Sequence, residues 1–127
     1  MIIDFHTHIF PDTIAAKTIA KLASVANIAA STDGTINGLM ESMNRANVDI
    51  SVIQPVVTKP EQFETINQFA QSINEKYNGR LISFGGIHPD CEDYKQKLNQ
   101  IKESGFLGIK IHPDYQKVMI DDVRYMN

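Results

Sequence analysis

The sequence predicts an α/β domain in which strands and helices alternate along a parallel sheet, and two observations lead to that prediction. Runs of apolar, β-branched residues alternate with segments whose apolar residues recur every three or four positions. In addition, Ile-His-Pro-Asp occurs twice, at 87–90 and at 111–114, each time after a strand-like segment that contains glycine. Repetition of a strand, a loop and a helix favours a (β/α)8 barrel of the TIM-barrel type over an open sheet.

The first half of the chain supplies two strands and two helices. Residues 1–8 alternate between two faces, as an extended strand does. Residues 14–30 have the spacing and the alanine content of a helix, and residues 35–46 continue helical spacing after an Asp-Gly turn. Residues 48–57 are almost continuously apolar and β-branched, which suits a strand covered on both faces.

The second half repeats this alternation. A helix is expected over residues 60–77, with Pro60 in its first turn and Asn78-Gly79 as its stop. Glycine-containing strands are expected at 80–88 and 106–112, separated by a charged amphipathic helix at 90–104, and another helix begins near 119.

Length and composition limit the classes of protein. A complete eight-stranded barrel takes roughly 250 residues, whereas this chain has 127, so we expect residues 1–127 to be the N-terminal half of a barrel with about four strand–helix units. The net charge of −3 gives no electrostatic footprint for nucleic acid or for an anionic membrane. No apolar run is long enough to span a membrane. The single cysteine, Cys91, indicates a reducing compartment, and we expect a cytoplasmic location.

The triplet His6-Thr7-His8 is the clearest candidate for chemistry. Strand alternation places both imidazoles on one side, with their backbone positions about 7 Å apart, where they can bind one divalent metal ion. The triplet also ends its strand, and in parallel barrels that end opens into the active site. Asp4 lies on the same face and either orients an imidazole or caps the strand.

A second group of candidate residues surrounds the last predicted strand. Lys110 and His112 share one face, which would point to the barrel interior, whereas Leu107, Ile109 and Ile111 would pack on helices. A lysine in such a place binds a substrate anion or forms a buried ion pair. We also predict that His112, Tyr115 and Gln116 line a substrate pocket; the alternative is that His-Pro-Asp is only a turn that ends the strand.

The segments Asp-Phe-His-Thr-His-Ile-Phe-Pro at 4–11 and Gly-Ile-Lys-Ile-His-Pro at 108–113 resemble the amidohydrolase superfamily. The closest resemblance is to the branch that includes aminocarboxymuconate-semialdehyde decarboxylase. The resemblance implies a distorted (β/α)8 barrel whose first-strand His-x-His pair, here His6 and His8, binds a catalytic divalent metal, zinc first and manganese second. It also implies a further role for Lys110, since some members carry a carboxylated lysine that bridges two metals.

The expected function is therefore that of a metal-dependent hydrolase, or a related decarboxylase, acting on a small molecule with a carbonyl or carboxylate group. Two metal-dependent alternatives share the early His-x-His: a TatD-type deoxyribonuclease, which also has a counterpart of the Gly-Ile-His-Pro at 86–89, and the polymerase and histidinol phosphatase family. The acidic charge balance counts against a deoxyribonuclease. A third alternative is a non-catalytic half-barrel that self-associates through exposed strand edges, and we expect a homo-oligomer.

Overall fold

The structure is a computed structural model that describes residues 1–27, 29–77 and 79–126. The chain divides into two compact units, Met1–Ile53 and Gln54–Asn127. Two features predicted above fall partly outside the described residues: Ile28, inside the helix predicted at 14–30, and Asn78, the predicted helix stop.

The described residues of the first unit form β1 (Ile3–Thr7), α1 (Asp12–Ala26), α2 (Ile36–Ala46) and β2 (Ile50–Ile53), in that order. β1 and β2 pair in parallel. α2 begins where the sequence predicts, because Thr35 Oγ1 accepts a hydrogen bond from the Gly38 N–H at 3.0 Å and so caps the helix. It ends at Asn47, which adopts the left-handed conformation at φ 53°.

The buried apolar residues of this unit lie just after β1, on the helices α1 and α2, and in β2. Met43 is buried, as expected of a core position in α2, and Met40 beside it is half-buried. β2 is buried from Ser51 onward, which fits its continuous apolar sequence. Among the residues whose burial is described, those buried are Ile9, Ala15, Leu39, Met43, Val52 and Ile53.

The second unit begins with one 3-10 turn, Pro60–Gln62, and continues with shorter elements. These are α3 (Phe63–Lys76), β3 (Leu81–Ser83), β4 (Gly85–Gly86), α4 (Tyr94–Glu103), β5 (Ile109–Lys110), α5 (Pro113–Gln116) and α6 (Val123–Met126). β4 and β5 pair in parallel, Gly85 with Ile109 and Gly86 with Lys110. The core includes a cluster of four buried side chains, Phe63, Ile87, Cys91 and Ile101, and Tyr94, Leu98 and Phe106 pack against it.

Two asparagines of α3 bind the backbone of the strand region beside the helix. Asn67 Nδ2 donates to the Gly86 carbonyl at 2.8 Å, and Asn67 Oδ1 accepts from the Gly86 N–H at 2.9 Å. Two helical turns further along α3, Asn74 Nδ2 donates to the Ser83 carbonyl at 3.0 Å and its Oδ1 accepts from the Ser83 N–H at 2.6 Å. Each asparagine amide thus donates one hydrogen bond to the backbone of a single residue and accepts one from it, as a residue of a neighbouring strand does. We call these two residues the asparagine clamp.

Glycine is needed in β4, the strand whose backbone Asn67 binds. A β-carbon at Gly86 would lie 2.6 Å from Val57 Cγ2, and one at Gly85 would lie 2.8 Å from Ile101 Cγ2. Both distances are too short for a real side chain, so the close packing at β4 excludes any larger residue without rearrangement.

The prediction of a TIM-barrel fold with four strand–helix units is wrong. The protein is a small α/β structure whose described strands are short, and β4 and β5 form a two-stranded sheet separate from the sheet of β1 and β2. The strand predicted at 48–57 ends at Ile53, ahead of Pro55, which has no N–H to donate to a ladder. The strand predicted at 80–88 is divided into β3 and β4.

The strand predicted at 106–112 is reduced to two residues, because Pro113 begins α5 directly after His112. Its predicted burial pattern is met only in part on the apolar side. Leu107 is 77% exposed and Ile109 is 39% exposed, whereas Ile111 is half-buried.

Candidate functional site

The structure brings His6 and His8 together at the end of β1. Their ring centroids lie 5.0 Å apart, with an angle of 64° between the ring planes. His6 is exposed and His8 is half-buried. Imidazole nitrogens are ligands for divalent metal ions, so two neighbouring rings are candidates for one site.

A bulge in β1 lies between Asp4 and the second histidine. Asp4 pairs with Ser51 and Thr7 pairs with Ile53, so three steps along β1 match two along β2. A bulge adds one residue to a strand and changes the direction of the side chains around it. Here the irregular stretch includes His6.

Side chains on both sides of His6 bind backbone groups at this bulge. Asp4 Oδ1 accepts a hydrogen bond from the His6 N–H at 3.1 Å. Two roles were predicted for Asp4, orienting an imidazole or capping the strand. This contact is made to the backbone, so it corresponds to the second role. Thr7 is buried, and its Oγ1 donates to the Val52 carbonyl at 2.9 Å.

Imidazole is a donor type that suits zinc, and two imidazoles alone do not complete a metal site. Neutral imidazole is among the commonest zinc ligands, and catalytic zinc sites use three protein ligands with an open position for water or substrate. Among the residues that the structure describes, no group of three or more His, Cys, Asp or Glu side chains is arranged to hold a metal ion. His6 and His8 therefore fit as two ligands, with the remaining positions left for water, substrate or other donors.

The second predicted group lies in the other unit. His112 and Tyr115 are both half-buried, and their rings lie in contact, with centroids 4.3 Å apart and planes tilted by 41°. Lys110 is also half-buried, in β5. Within the described chain its ammonium group has no ion-pair partner. The buried ion pair considered for Lys110 is thus not seen there, and an anion contact stays a prediction.

Gln116, predicted to line a substrate pocket, has its side-chain amide fully engaged within the protein. Its Nε2 donates to the carbonyls of Val57 at 2.9 Å and Ile87 at 2.7 Å. Its Oε1 accepts from the His112 N–H at 3.0 Å and from the Tyr125 hydroxyl at 2.9 Å. With two donors and two acceptor positions occupied, the buried amide holds four separate segments together.

His88 and Cys91 are both buried in the second unit. His88 Nδ1 accepts a hydrogen bond from the Asp90 N–H at 3.2 Å. Burial also raises the pKa of the Cys91 thiol. A neutral, buried thiol is a poor nucleophile.

Acid is expected to destabilise the second unit through His88. Burial lowers the pKa of His88 below its usual 6.5, with Arg124 acting in the same direction and Asp90 and Glu61 opposing. As pH falls below about 6.5, the unfolded chain binds the proton before the folded one, so the free energy of unfolding decreases. His88→Asn keeps an acceptor for the Asp90 N–H and does not titrate. Urea unfolding at pH values from 7.5 to 5.5 should give a flatter profile for this variant; an equally steep one would contradict the role of His88.

Sequence reasoning missed the asparagine clamp, the bulge and the structural use of Gln116. A signal existed for the clamp, because Asn67 and Asn74 interrupt the apolar stripe that Phe63, Ala70 and Ile73 form along α3. Polar residues within such a stripe are buried and need hydrogen-bond partners. The bulge left no signal, since it depends on the pairing of β1 with β2.

Comparisons with protein-family models, curated proteins and solved structures found no match for this chain. In the described ranges, none of the helices has the length and apolar character needed to cross a membrane.

Proposed function

We propose that this protein is a metal-dependent hydrolase, or a related decarboxylase, that acts on a small molecule bearing a carbonyl or carboxylate group. One observation carries the proposal: the imidazoles of His6 and His8 lie beside each other at the end of β1, with ring centroids 5.0 Å apart. The resemblance of the segments around these histidines and around Lys110 to amidohydrolases supports the same reaction class.

The role that we propose for His6 and His8 is that of metal ligands. A divalent ion bound there, zinc or else manganese, would lower the pKa of a water ligand and polarise a substrate carbonyl. His6 and His8 would hold it through their ring nitrogens. The hydrogen bonds of Asp4 and Thr7 hold the chain on either side of His6.

For Lys110, in the second unit, we propose recognition of a carboxylate group. Lys110 is half-buried and its ammonium group has no ion-pair partner in the described residues, so an anionic ligand would supply one. His112 and Tyr115, whose rings are in contact, stay the proposed lining of a substrate pocket.

Metal titration of single-histidine variants tests the proposal. We expect the wild-type protein to bind one Zn²⁺ or Co²⁺ per chain, and His6→Ala and His8→Ala to bind at least about 10-fold more weakly, because each removes one of two ligands. Isothermal titration and the visible absorption of Co²⁺ report this binding. His112→Ala is the matched control, since it removes a histidine of the other unit. Equal affinity in all four proteins would overturn the proposal.

A second assay distinguishes the two reaction types. Metal-loaded protein is incubated with small amides, esters and unsaturated β-keto or semialdehyde carboxylates, and both new carboxylic acid and released carbon dioxide are measured. Lys110→Gln is expected to raise KM for carboxylated substrates more than for neutral ones, because it removes only the cation. An unchanged KM would argue against the role of Lys110.

Cytoplasmic location and homo-oligomer formation stay predictions, and both are part of the proposal. The location rests on a single cysteine, which is buried as a free thiol. Sedimentation of the purified chain measures the oligomeric state, and a monomer at all concentrations would remove the second prediction.

A further inference from the structure

Thr7 lies between the two candidate ligands and is anchored to the neighbouring strand. Its side chain is only 8% exposed, whereas His6 before it is exposed. The Thr7 hydroxyl donates a 2.9 Å hydrogen bond to the carbonyl of Val52, which is itself 3% exposed. A buried hydroxyl bonded to a buried carbonyl has no water to exchange with, so the bond fixes the Thr7 side chain.

This bond lies at the point where β1 leaves regular pairing. The register is irregular between Asp4 and Thr7, and Thr7 opposite Ile53 is the last pair of the two strands. Thr7 is therefore the residue from which the chain leaves β1 toward His8, and its anchoring affects where the side chains on either side of it point. Threonine suits the position because its β-branched side chain has few rotamers and its hydroxyl reaches a backbone carbonyl.

We infer that Thr7 is a positioning residue that sets the separation of the His6 and His8 imidazoles through its hydrogen bond to Val52. Asp4 contributes from the other side of His6 by accepting the His6 N–H. Ring separation decides which ions the pair can hold together, since Zn–N distances are only about 2.0–2.1 Å. The consequence for metal binding rests on the proposed function, but the ring separation itself does not.

The first test measures the ring separation without metal. Thr7→Val keeps the size and branching of the side chain and removes the hydroxyl, and Thr7→Ser keeps the hydroxyl. Thr13→Val, at an exposed position of α1 in the same unit, is the matched control. Inter-ring nuclear Overhauser effects between His6 and His8 are expected in the wild type, Thr7→Ser and Thr13→Val, and are expected to be weakened or lost in Thr7→Val. Equal intensities in all four proteins would overturn the inference.

The second test measures affinity for Zn²⁺ and for Co²⁺ in the same four proteins. Thr7→Val is expected to bind about 10-fold more weakly, as is typical when a group that orients a metal ligand is removed, with a changed Co²⁺ spectrum. Thr7→Ser should restore both. Wild-type affinity in Thr7→Val, with weak binding in His6→Ala, would overturn the role of Thr7 and leave the proposed metal site standing. If the wild type binds no metal, the proposed function fails, and the Overhauser measurement alone decides for or against the positioning role.

Discussion

Replacing Gln116 by leucine is expected to lower the free energy of unfolding of the second unit by about 4 kcal/mol. Leucine fills a similar volume but satisfies none of the four groups that the amide binds. The carbonyls of Val57 and Ile87 belong to fully buried residues, so water does not replace the lost donors. Each buried group left without a partner costs about 1–3 kcal/mol.

The chain offers a direct way to follow this unit alone. All four tyrosines, at 77, 94, 115 and 125, lie within Gln54–Asn127, and the protein has no tryptophan. Tyrosine fluorescence during urea unfolding therefore reports on the second unit. Tyr125→Phe removes one of the four hydrogen bonds and should lower the free energy of unfolding by about 1 kcal/mol. Gln96→Leu, at an exposed position of α4, is the control. If Gln116→Leu is as stable as Gln96→Leu, the amide does not hold these segments together.

Asn67→Leu is expected to lower the free energy of unfolding of the same unit by about 3 kcal/mol. The variant leaves the N–H and the carbonyl of Gly86 buried without partners. It also places a branched apolar group against a glycine whose surroundings have no spare volume. Asn67→Asp should be no better, because a carboxylate keeps the acceptor for the N–H but turns a second oxygen toward the Gly86 and Phe63 carbonyls.

Tyrosine fluorescence in urea again measures the change, now with Asn99→Leu as the control, because Asn99 is exposed on α4. Hydrogen exchange adds a local readout, since the Gly86 amide should lose protection in Asn67→Leu and keep it in Asn99→Leu. A fully protected Gly86 amide in the leucine variant would show that another group replaces the clamp.

The positions of the main elements could be predicted from the sequence, but the lengths of the strands could not. Helical spacing located α2, α3 and α4 to within a few residues, because each helix carries its own apolar stripe. Strand length depends on which backbone groups find a neighbour, and that is a property of the assembled sheet. The repeated His-Pro-Asp was interpreted as a barrel repeat, whereas the second copy begins the short helix α5.

The candidate site was predictable where it follows from local alternation. The proximity of His6 and His8 needed only a strand with one residue between them. The contribution of Thr7 was not predictable, because it depends on an irregular register with β2. Gln116 was recognised as noteworthy from its place after the last strand, yet its contacts are made to residues 29 and 59 positions away, beyond any local pattern.

The asparagine clamp fixes which residues of the neighbouring chain segment lie opposite α3. Asn67 and Asn74 are two helical turns apart, about 10.5 Å, and the three steps from Ser83 to Gly86 span about 10 Å of extended chain. These two distances match in only one alignment of the helix with the extended chain. A shift by a single residue would therefore break all four clamp bonds at once. Inserting or deleting one residue between Ser83 and Gly86 should therefore be far more damaging than the same change at the open turn around Gly79, where a β-carbon would meet no atom within 4 Å.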